Sequence, residues 1–327
     1  MQVLQPADAH ASGDAMRLAG RLVPDPPTVP VPAEPERERA RMNLKLSGVS
    51  GNKVDAGERY KAVGKVFPFV RGQEVNIFLK RDSKVIMKRK LAIKRIPGRD
   101  AGRFAVTSKR IIKPGTYRFR ANKNETASQD GALAGSRGID VDYPDLDPGD
   151  RGGDVKLFNQ LLDRQAYHGA KGRHYGSKTS LAVMAYRKVN NMERTSNATP
   201  GMFETLADGG GGFRLKWPEG GKHVEADLSR QVMVLAKNGK PKHIFHISSG
   251  APATPTVRGK YATYRKDYGT NSLGMIHSVY FHRGYATHGY RSVPTYPASH
   301  GCLRNPPVFA KFIYNWIDIG DVFYVYG

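Results

Sequence analysis

The spacing of apolar residues changes twice along this chain of 327 residues. From residue 42 to about 127, and again from about 221 to the end, apolar and polar residues alternate, which is typical of half-buried strands. Over 151–208 the apolar residues instead recur every three or four positions, the period of an amphipathic helix. The sequence therefore predicts a multidomain protein, with an N-terminal β-sandwich-like domain, a small three-helix domain, and a C-terminal, mostly-β domain with one C-terminal helix.

Glycine and proline mark the boundaries of these regions. Residues 1–41 hold six prolines between Pro24 and Pro35 and then a charged run, so we predict a disordered arm that cannot bury enough apolar surface to fold. Residues 128–150 and 209–220 are predicted to be linkers. The predicted domains are therefore 42–127, 151–208 and 221–327.

Two local patterns organise the last domain. Asn238-Gly239 lies between two apolar runs, which predicts a β-hairpin because its tight turn needs positive φ at both central residues. Further on, one helix face and a final strand are predicted from Phe309, Phe312, Ile313, Trp316 and the run Val322 to Tyr326.

The chain is strongly basic, with 52 Lys and Arg against 29 Asp and Glu, a net charge of +23. Such a surface attracts polyanions. The basic cluster from Lys80 to Arg95 alternates with apolar residues, which favours solvent-facing sides of strands, and no zinc-finger or RNA-binding motif accompanies it, so we expect no nucleic-acid partner. No apolar stretch approaches a membrane span, and the N-terminus lacks a secretory signal pattern.

The single cysteine, Cys302, excludes an internal disulfide framework. It follows His300 and Gly301, and His288-Gly289 lies fourteen residues upstream. A thiol with an ordinary pKa is only slightly ionised at neutral pH, so a nucleophilic thiol needs a nearby base, which a neutral imidazole supplies. Glycine beside the nucleophile frees backbone N–H groups to hold an oxyanion. These residues predict acyl transfer, with no cofactor and no metal.

The run Ser299-His300-Gly301-Cys302-Leu303-Arg304, preceded by His288-Gly289, resembles the YkuD-type L,D-transpeptidases, in particular their actinobacterial-type members. The resemblance covers about residues 221–327 and includes the segments SSGAPATPT and RGKYATY. It implies that Cys302 attacks a peptidoglycan stem peptide at the carbonyl of an L-centre, releases the terminal D-residue and holds the peptide as a thioester. An amine of a second stem then takes the acyl group, which forms a 3→3 cross-link.

The resemblance also implies roles for the surrounding residues. His288 is the general base, and the carbonyl of Gly289 orients its ring. The N–H groups of Gly301 and Cys302 line the oxyanion hole. The remaining implied contacts come from His300, which shapes the site, from Arg304, which anchors the loop or a substrate carboxylate, and from Ser299 and Tyr280 in the groove. Carbapenems are expected to acylate Cys302.

The helical region resembles the peptidoglycan-binding domain 1 family in its Leu161-Leu162, its Gly172 turn and its Thr179-x-x-Ala182-Val183 helix. The family's usual Gln is Arg187 here. Together the two resemblances imply an extracytoplasmic protein of the cell envelope that contacts peptidoglycan stem peptides, glycan and anionic wall polymers.

Three alternatives remain open at the level of sequence. The same acyl-enzyme resolved by water would be an L,D-carboxypeptidase, and resolved by a protein lysine it would attach wall proteins. A non-catalytic wall-binding protein would use only the helical module and the basic charge.

Overall fold

The computed structural model describes residues 36–327. Its first part contains short strands, and the sequence alternation explains them, because inward positions are apolar and outward positions polar. The strands are β1 (Arg41–Ser47), β2 (Lys61–Phe67), β3 (Glu74–Arg81), β4 (Lys84–Ala92), β5 (Lys94–Arg95), β6 (Gly102–Thr107), β7 (Gly115–Lys123), β8 (Ala132–Gly135) and β9 (Ile139–Val141).

These strands form two sheets. One has the order β1-β2-β6-β5, and the other has the order β4-β3-β7-β8, with β9 also paired to β7. The inward residues Ala62 and Val66 of the first sheet and Val75, Ile77 and Leu79 of the second are fully buried in one hydrophobic core. A sandwich-like arrangement stays the prediction for this region.

The segment 128–150, predicted to be a linker, is part of this β region. Strands β8 and β9 lie within it and pair antiparallel with β7. The prediction was wrong here because the two strands have only four and three residues, too few for an alternation to stand out among the glycines. Of the predicted arm, residues 1–35 lie outside the described residues; Glu38 forms a backbone bridge with Gln129, and β1 begins at Arg41.

Three helices follow, within the range predicted from the 3.6-residue period. They are α1 (Gly153–Arg164), α2 (Ser177–Val189) and α3 (Pro200–Ala207). The hydroxyl of Thr199 accepts a hydrogen bond from the N–H of Met202 and so caps α3. Their buried residues, among them Phe158, Tyr186 and Phe203, continue the core of the N-terminal sheets, and that core reaches Val234 and Ile244 of the last region.

The C-terminal region is mostly β, as predicted. Its strands are β10 (His223–Asp227), β11 (Val232–Lys237), β12 (Lys240–His246), β13 (Gly259–Ala262), β14 (Arg265–Thr270), β15 (Ile276–His282), β16 (Tyr285–Gly289), β17 (Leu303–Asn305) and β18 (Val322–Tyr326), and its helix is α4 (Pro307–Trp316). The sheets have the orders β12-β11-β10-β18-β13 and β14-β15-β16-β17.

The local predictions for this region are confirmed. Asn238 and Gly239 both have positive φ and join β11 to β12 in an antiparallel hairpin. The helix α4 buries Phe309 and Ile313 against the β-sheet residues of a second core.

The segment 209–220, predicted to be a linker, has no regular strand or helix but packs closely. The N–H of Trp217 donates to the carboxylate of Glu225 at 2.9 Å, and its ring stacks on Tyr324 with centroids 4.3 Å apart. Across residues 36–327, none of the helices combines the length and apolar character that crossing a bilayer demands.

Candidate active site

Parallel pairing of β16 with β17 places the predicted base on one strand and the predicted nucleophile at the start of its neighbour. His288 on β16 is the register partner of Arg304 on β17, and Cys302 immediately precedes β17. Side chains two residues apart on a strand point to the same face. Cys302 packs beside Ala286, which lies two residues before His288 on β16, on the same face of the sheet.

The ring of His288 is buried and held by its own chain. Its Nδ1 lies 3.0 Å from the carbonyl oxygen of Gly289. A carbonyl oxygen only accepts, so Nδ1 carries the proton and Nε2 keeps a lone pair. Burial lowers the pKa of His288; the Gly289 carbonyl opposes this, and the charge of Arg304 adds to it. At neutral pH the ring is therefore an uncharged imidazole with Nε2 available as a base.

The thiol of Cys302 is half-buried beside Met275, Tyr280 and Ala286. Its Sγ lies 3.6 Å from the carbonyl oxygen of Gly284, which is its hydrogen-bond acceptor in place of the His288 ring. Burial raises the pKa of Cys302, while the backbone N–H of Ala286 and the charge of Arg304 lower it. The Cys302 thiol and the His288 imidazole are thus both uncharged at neutral pH.

A tight turn presents Cys302. Gly301 has a φ of 115°, and a Cβ on it would lie 2.7 Å from the Tyr285 ring, so only glycine is accommodated. The Ser299 hydroxyl donates to the carbonyl of Cys302 at 2.5 Å and accepts from the N–H of Gly301 at 3.1 Å. Ser299 therefore closes the turn, and the Gly301 N–H, predicted to face an oxyanion, is engaged within the protein.

Hydroxyl groups of the segment 248–256 hydrogen-bond to the backbone of this turn, a role that the sequence did not indicate. Thr256 donates to the carbonyl of Gly301 at 2.7 Å, and Thr254 donates to the carbonyl of Ser299 at 2.9 Å. Ser248 exchanges backbone hydrogen bonds with Arg304, both 2.9 Å long. These residues lie in the SSGAPATPT segment. The family resemblance included this segment but did not predict the hydrogen bonds that its hydroxyl groups make.

Arg304 is directed to the loop before the nucleophile. Its guanidinium donates to the carbonyl of Ala298 at 3.2 Å and lies 4.2 Å from the centre of the Tyr290 ring. Tyr290 in turn meets the His288 ring edge to face, with centroids 5.8 Å apart. The side chain thus links β17 to the loop before Cys302, and its role toward a substrate stays a prediction.

The remaining predicted residues lie at different depths. Tyr280 is buried beside Cys302, and the guanidinium of Arg265 covers its ring at 3.8 Å. His300 is exposed at the tip of the turn. Gly289 is buried, and a Cβ there would lie 2.6 Å from that of Ala310, so its small size lets α4 approach the base. Within residues 36–327, the acidic, cysteine and histidine side chains form no group of three or more that could hold a metal.

Comparison with known proteins agrees with this arrangement. The YkuD L,D-transpeptidase catalytic domain matches residues 221–325. The crystal structure of an L,D-transpeptidase (residues 123–326) from Xylanimonas cellulosilytica is 31% identical, with a TM-score of 0.52, and the match covers 57% of this chain and 98% of that one. A search of curated proteins finds no match.

Two further structures are more distant. An L,D-transpeptidase (Yku) from Stackebrandtia nassauensis is 21% identical over 56% of this chain and 95% of that one, with a TM-score of 0.34. The catalytic domain of the Enterococcus faecium L,D-transpeptidase is 26% identical over 32% of this chain and 97% of that one, with a TM-score of 0.29.

The matches define the class of the C-terminal region as an L,D-transpeptidase catalytic domain. The chain belongs to the YkuD L,D-transpeptidase family. The Xylanimonas match covers more of the chain than the catalytic domain, so the likeness extends beyond residues 221–325.

Proposed function

We propose that this protein is a peptidoglycan L,D-transpeptidase that forms 3→3 cross-links through a Cys302 thioester. The observation that carries the proposal is the tautomer of the His288 ring, which the Gly289 carbonyl fixes. Its Nδ1 proton is held by the Gly289 carbonyl, so the Nε2 lone pair is available on the face that Cys302 shares. A neutral base beside a neutral thiol suits general-base activation at the moment of attack.

In the first half-reaction, Nε2 of His288 takes the proton of Cys302 as Sγ attacks the carbonyl of the L-centre. A C–S bond forms, and the carbonyl becomes an oxyanion. When it collapses, the C–N bond to the terminal D-residue breaks and the imidazolium gives its proton to the leaving amine. The stem tripeptide stays on Cys302 as a thioester.

In the second half-reaction, an amine of a neighbouring stem attacks the thioester. His288 takes the proton of that amine as the C–N bond forms. The C–S bond breaks, and the proton returns to the thiolate. The products are the cross-linked peptide and the free enzyme, so protons and bonds balance over the cycle.

The N–H of Cys302 is the donor we assign to the oxyanion, since that of Gly301 already binds Ser299. Ser299 acts by holding the turn, and Arg304 by anchoring the loop. Tyr280 lies where it would border the substrate near Sγ. His300, exposed at the tip of the turn, would shape the entry for the acyl acceptor.

The substrate sets the remaining proposals. Cross-linked wall lies outside the cytoplasm, so we place the protein in the cell envelope. The three helices are proposed to bind wall glycan, and the basic surface to contact anionic wall polymers. Carbapenems are proposed to form a one-to-one adduct on Cys302.

The test is incubation with disaccharide-tetrapeptides and analysis of the products by mass spectrometry. Cross-linked dimers are expected, and they should disappear with Cys302→Ala and fall strongly with His288→Gln. If free tripeptide were the sole product, the assigned activity would be carboxypeptidation. If the acyl group were transferred only to added lysyl peptides, the activity would be attachment of wall proteins. Wild-type amounts of product from the Cys302→Ala variant would overturn the proposal. If the wild-type protein left the substrate unchanged, the non-catalytic, wall-binding alternative would be favoured.

A further inference from the structure

The outer face of the sheet β1-β2-β6-β5 is built mostly from polar and basic side chains. Along these strands alternate residues are buried, such as Ala62, Gly64, Val66 and Phe104. The residues between them point outward and form what we call the outer face. They are Arg41, Asn43, Lys45 and Ser47 on β1, Lys61, Val63, Lys65 and Phe67 on β2, Arg103, Ala105 and Thr107 on β6, and Lys94 on β5.

Cations on this face lie directly beside one another. Arg103 is the register partner of Lys65 on one side and of Lys94 on the other. Like charges directly opposite on neighbouring strands repel and destabilise a sheet. No outward position of the four strands carries an aspartate or glutamate, and within residues 36–327 none of these three cations forms an ion pair. The sheet thus carries an uncompensated row of positive charge, which an anionic partner would neutralise.

An open groove of about 970 Å³ follows this row. Its lining includes the apolar residues Val63, Leu91 and Ile96 and the basic residues Lys65, Lys94, Arg95, Arg99 and Arg103. The neighbouring carboxylate, Asp100, accepts a hydrogen bond from the N–H of Phe69. The lining of the groove therefore includes five basic residues, and Cys302 is not part of it.

The dimensions of the face favour a polymer over a small anion. Four strands about 4.8 Å apart span about 14 Å, and six residues along a strand span about 20 Å. One phosphate contacts two or three cations, so the face is several times larger than one phosphate needs. A linear chain of regularly spaced phosphodiesters would contact cations across the whole outer face.

Two other polyanionic surfaces suit the face less well. Stable binding to a membrane surface combines cations with protruding large apolar side chains, and the exposed ones, such as Val85 and Leu133, lie on other strands. Single-stranded nucleic acid is held by exposed aromatic rings that stack on bases, and Phe67, half-buried, is the one aromatic residue at an outward position.

We propose that the outer face binds a linear polyol-phosphate polymer across the Lys65, Arg103 and Lys94 row. The proposed role in the wall guides only the choice of polymer. Binding needs no turnover, so it can be measured on the Cys302→Ala protein, and failure of binding and failure of catalysis are observed separately.

The experiment is a titration of the full chain with poly(glycerol phosphate) at several salt concentrations. We expect affinity to fall as salt rises, and to fall by about tenfold or more in the double variant Lys94→Glu, Arg103→Glu. The matched control is Lys237→Glu, Lys240→Glu, which changes net charge equally at two exposed residues of the β11–β12 hairpin. An equal loss in the control would mean that only net charge matters and would overturn the site.

A neutral pair, Lys94→Gln and Arg103→Gln, separates binding from folding. Because it relieves repulsion, we expect it to keep or raise the unfolding temperature of the free protein and still to weaken polymer binding. A lower unfolding temperature with unchanged binding would contradict the proposal. The same titration is made with single-stranded DNA and with anionic phosphatidylglycerol vesicles, at equal phosphate and salt concentrations. If either bound as tightly as the polymer, the choice of occupant would be overturned.

Discussion

The Nζ atom of Lys188, on α2, lies 2.9 Å from the carbonyl oxygen of Ile247 in the C-terminal region. It also donates to the carbonyl of Gln231 at 3.2 Å and lies 2.8 Å from Nδ1 of His246. The next residue after Ile247, Ser248, exchanges backbone hydrogen bonds with Arg304. A buried side chain of the helical region thus binds the backbone beside the strand that follows Cys302, so these regions form one packed unit.

Lys188→Met should change how stability depends on pH. Burial lowers the pKa of Lys188 to about 6, from an ordinary value of 10.5. Between these two pKa values the lysine is protonated in the unfolded chain but not in the folded one. The free energy of unfolding therefore rises with pH in this range, and the gain is lost as pH falls to about 6. The variant lacks this contribution, so the deficit of the variant relative to wild type should grow by on the order of 2–4 kcal/mol from about pH 6 to about pH 9.

Urea unfolding of both proteins across this range measures the difference. The control is Lys178→Met, an exposed lysine on the same helix, which should leave the pH dependence unchanged. Parallel curves for wild type and Lys188→Met would contradict the assigned pKa.

Arg194→Ala should slow catalysis by releasing the loop between base and nucleophile. The Arg194 guanidinium, in the chain after α2, donates to the carbonyl of Thr295. Because small displacements of reacting groups cost large factors in rate, we expect kcat to fall by about tenfold, with a small change in unfolding temperature. Arg194→Lys should restore part of the rate, whereas Arg291→Ala, an exposed arginine of that loop, should have no effect. Equal losses in Arg194→Ala and Arg291→Ala would exclude a positioning role for Arg194.

How far the sequence predicted this site depends on the distance between the partners along the chain. Cys302 and His288 lie within one short segment whose residues together resemble a known motif, so the local sequence was sufficient to single them out. Thr256 and Gly301 are 45 residues apart, Lys188 and Ile247 are 59 apart, and Arg194 and Thr295 are 101 apart. These pairs meet only through tertiary packing, and hydroxyl, lysine and arginine side chains carry no local sign of a distant carbonyl partner.

Alkylation of Cys302 should report a neutral thiol in the free protein. Burial raises the pKa of Cys302 above its ordinary value of 9.0 and lowers that of His288, so no thiolate–imidazolium pair forms at neutral pH. The rate of reaction with iodoacetamide should therefore keep rising with pH up to and beyond 9, in a single phase. A plateau already reached near neutral pH would indicate an ion pair and would refute the neutral ground state. Cys302→Ser provides the unreactive control, since it is the only cysteine.

Asp154→Asn should stabilise the protein above neutral pH. Burial, with Asp55 and then Glu58 nearby, raises the pKa of Asp154 to about 7 from an ordinary value of 3.8, and its Oδ1 has no hydrogen-bond partner in the described residues. A raised pKa in the folded state contributes stability that is complete below 3.8 and is lost as pH rises through about 7.

The asparagine variant carries no charge to bury, so we expect its unfolding temperature at about pH 8 to exceed that of wild type by roughly 2 °C or more, with the difference closing near pH 4. Differential scanning calorimetry measures both, and Glu219→Gln, an exposed carboxylate, is the matched control for loss of one negative charge. An asparagine variant less stable than wild type at about pH 8 would mean that the ionised carboxylate stabilises the junction of α1 with the N-terminal sheets.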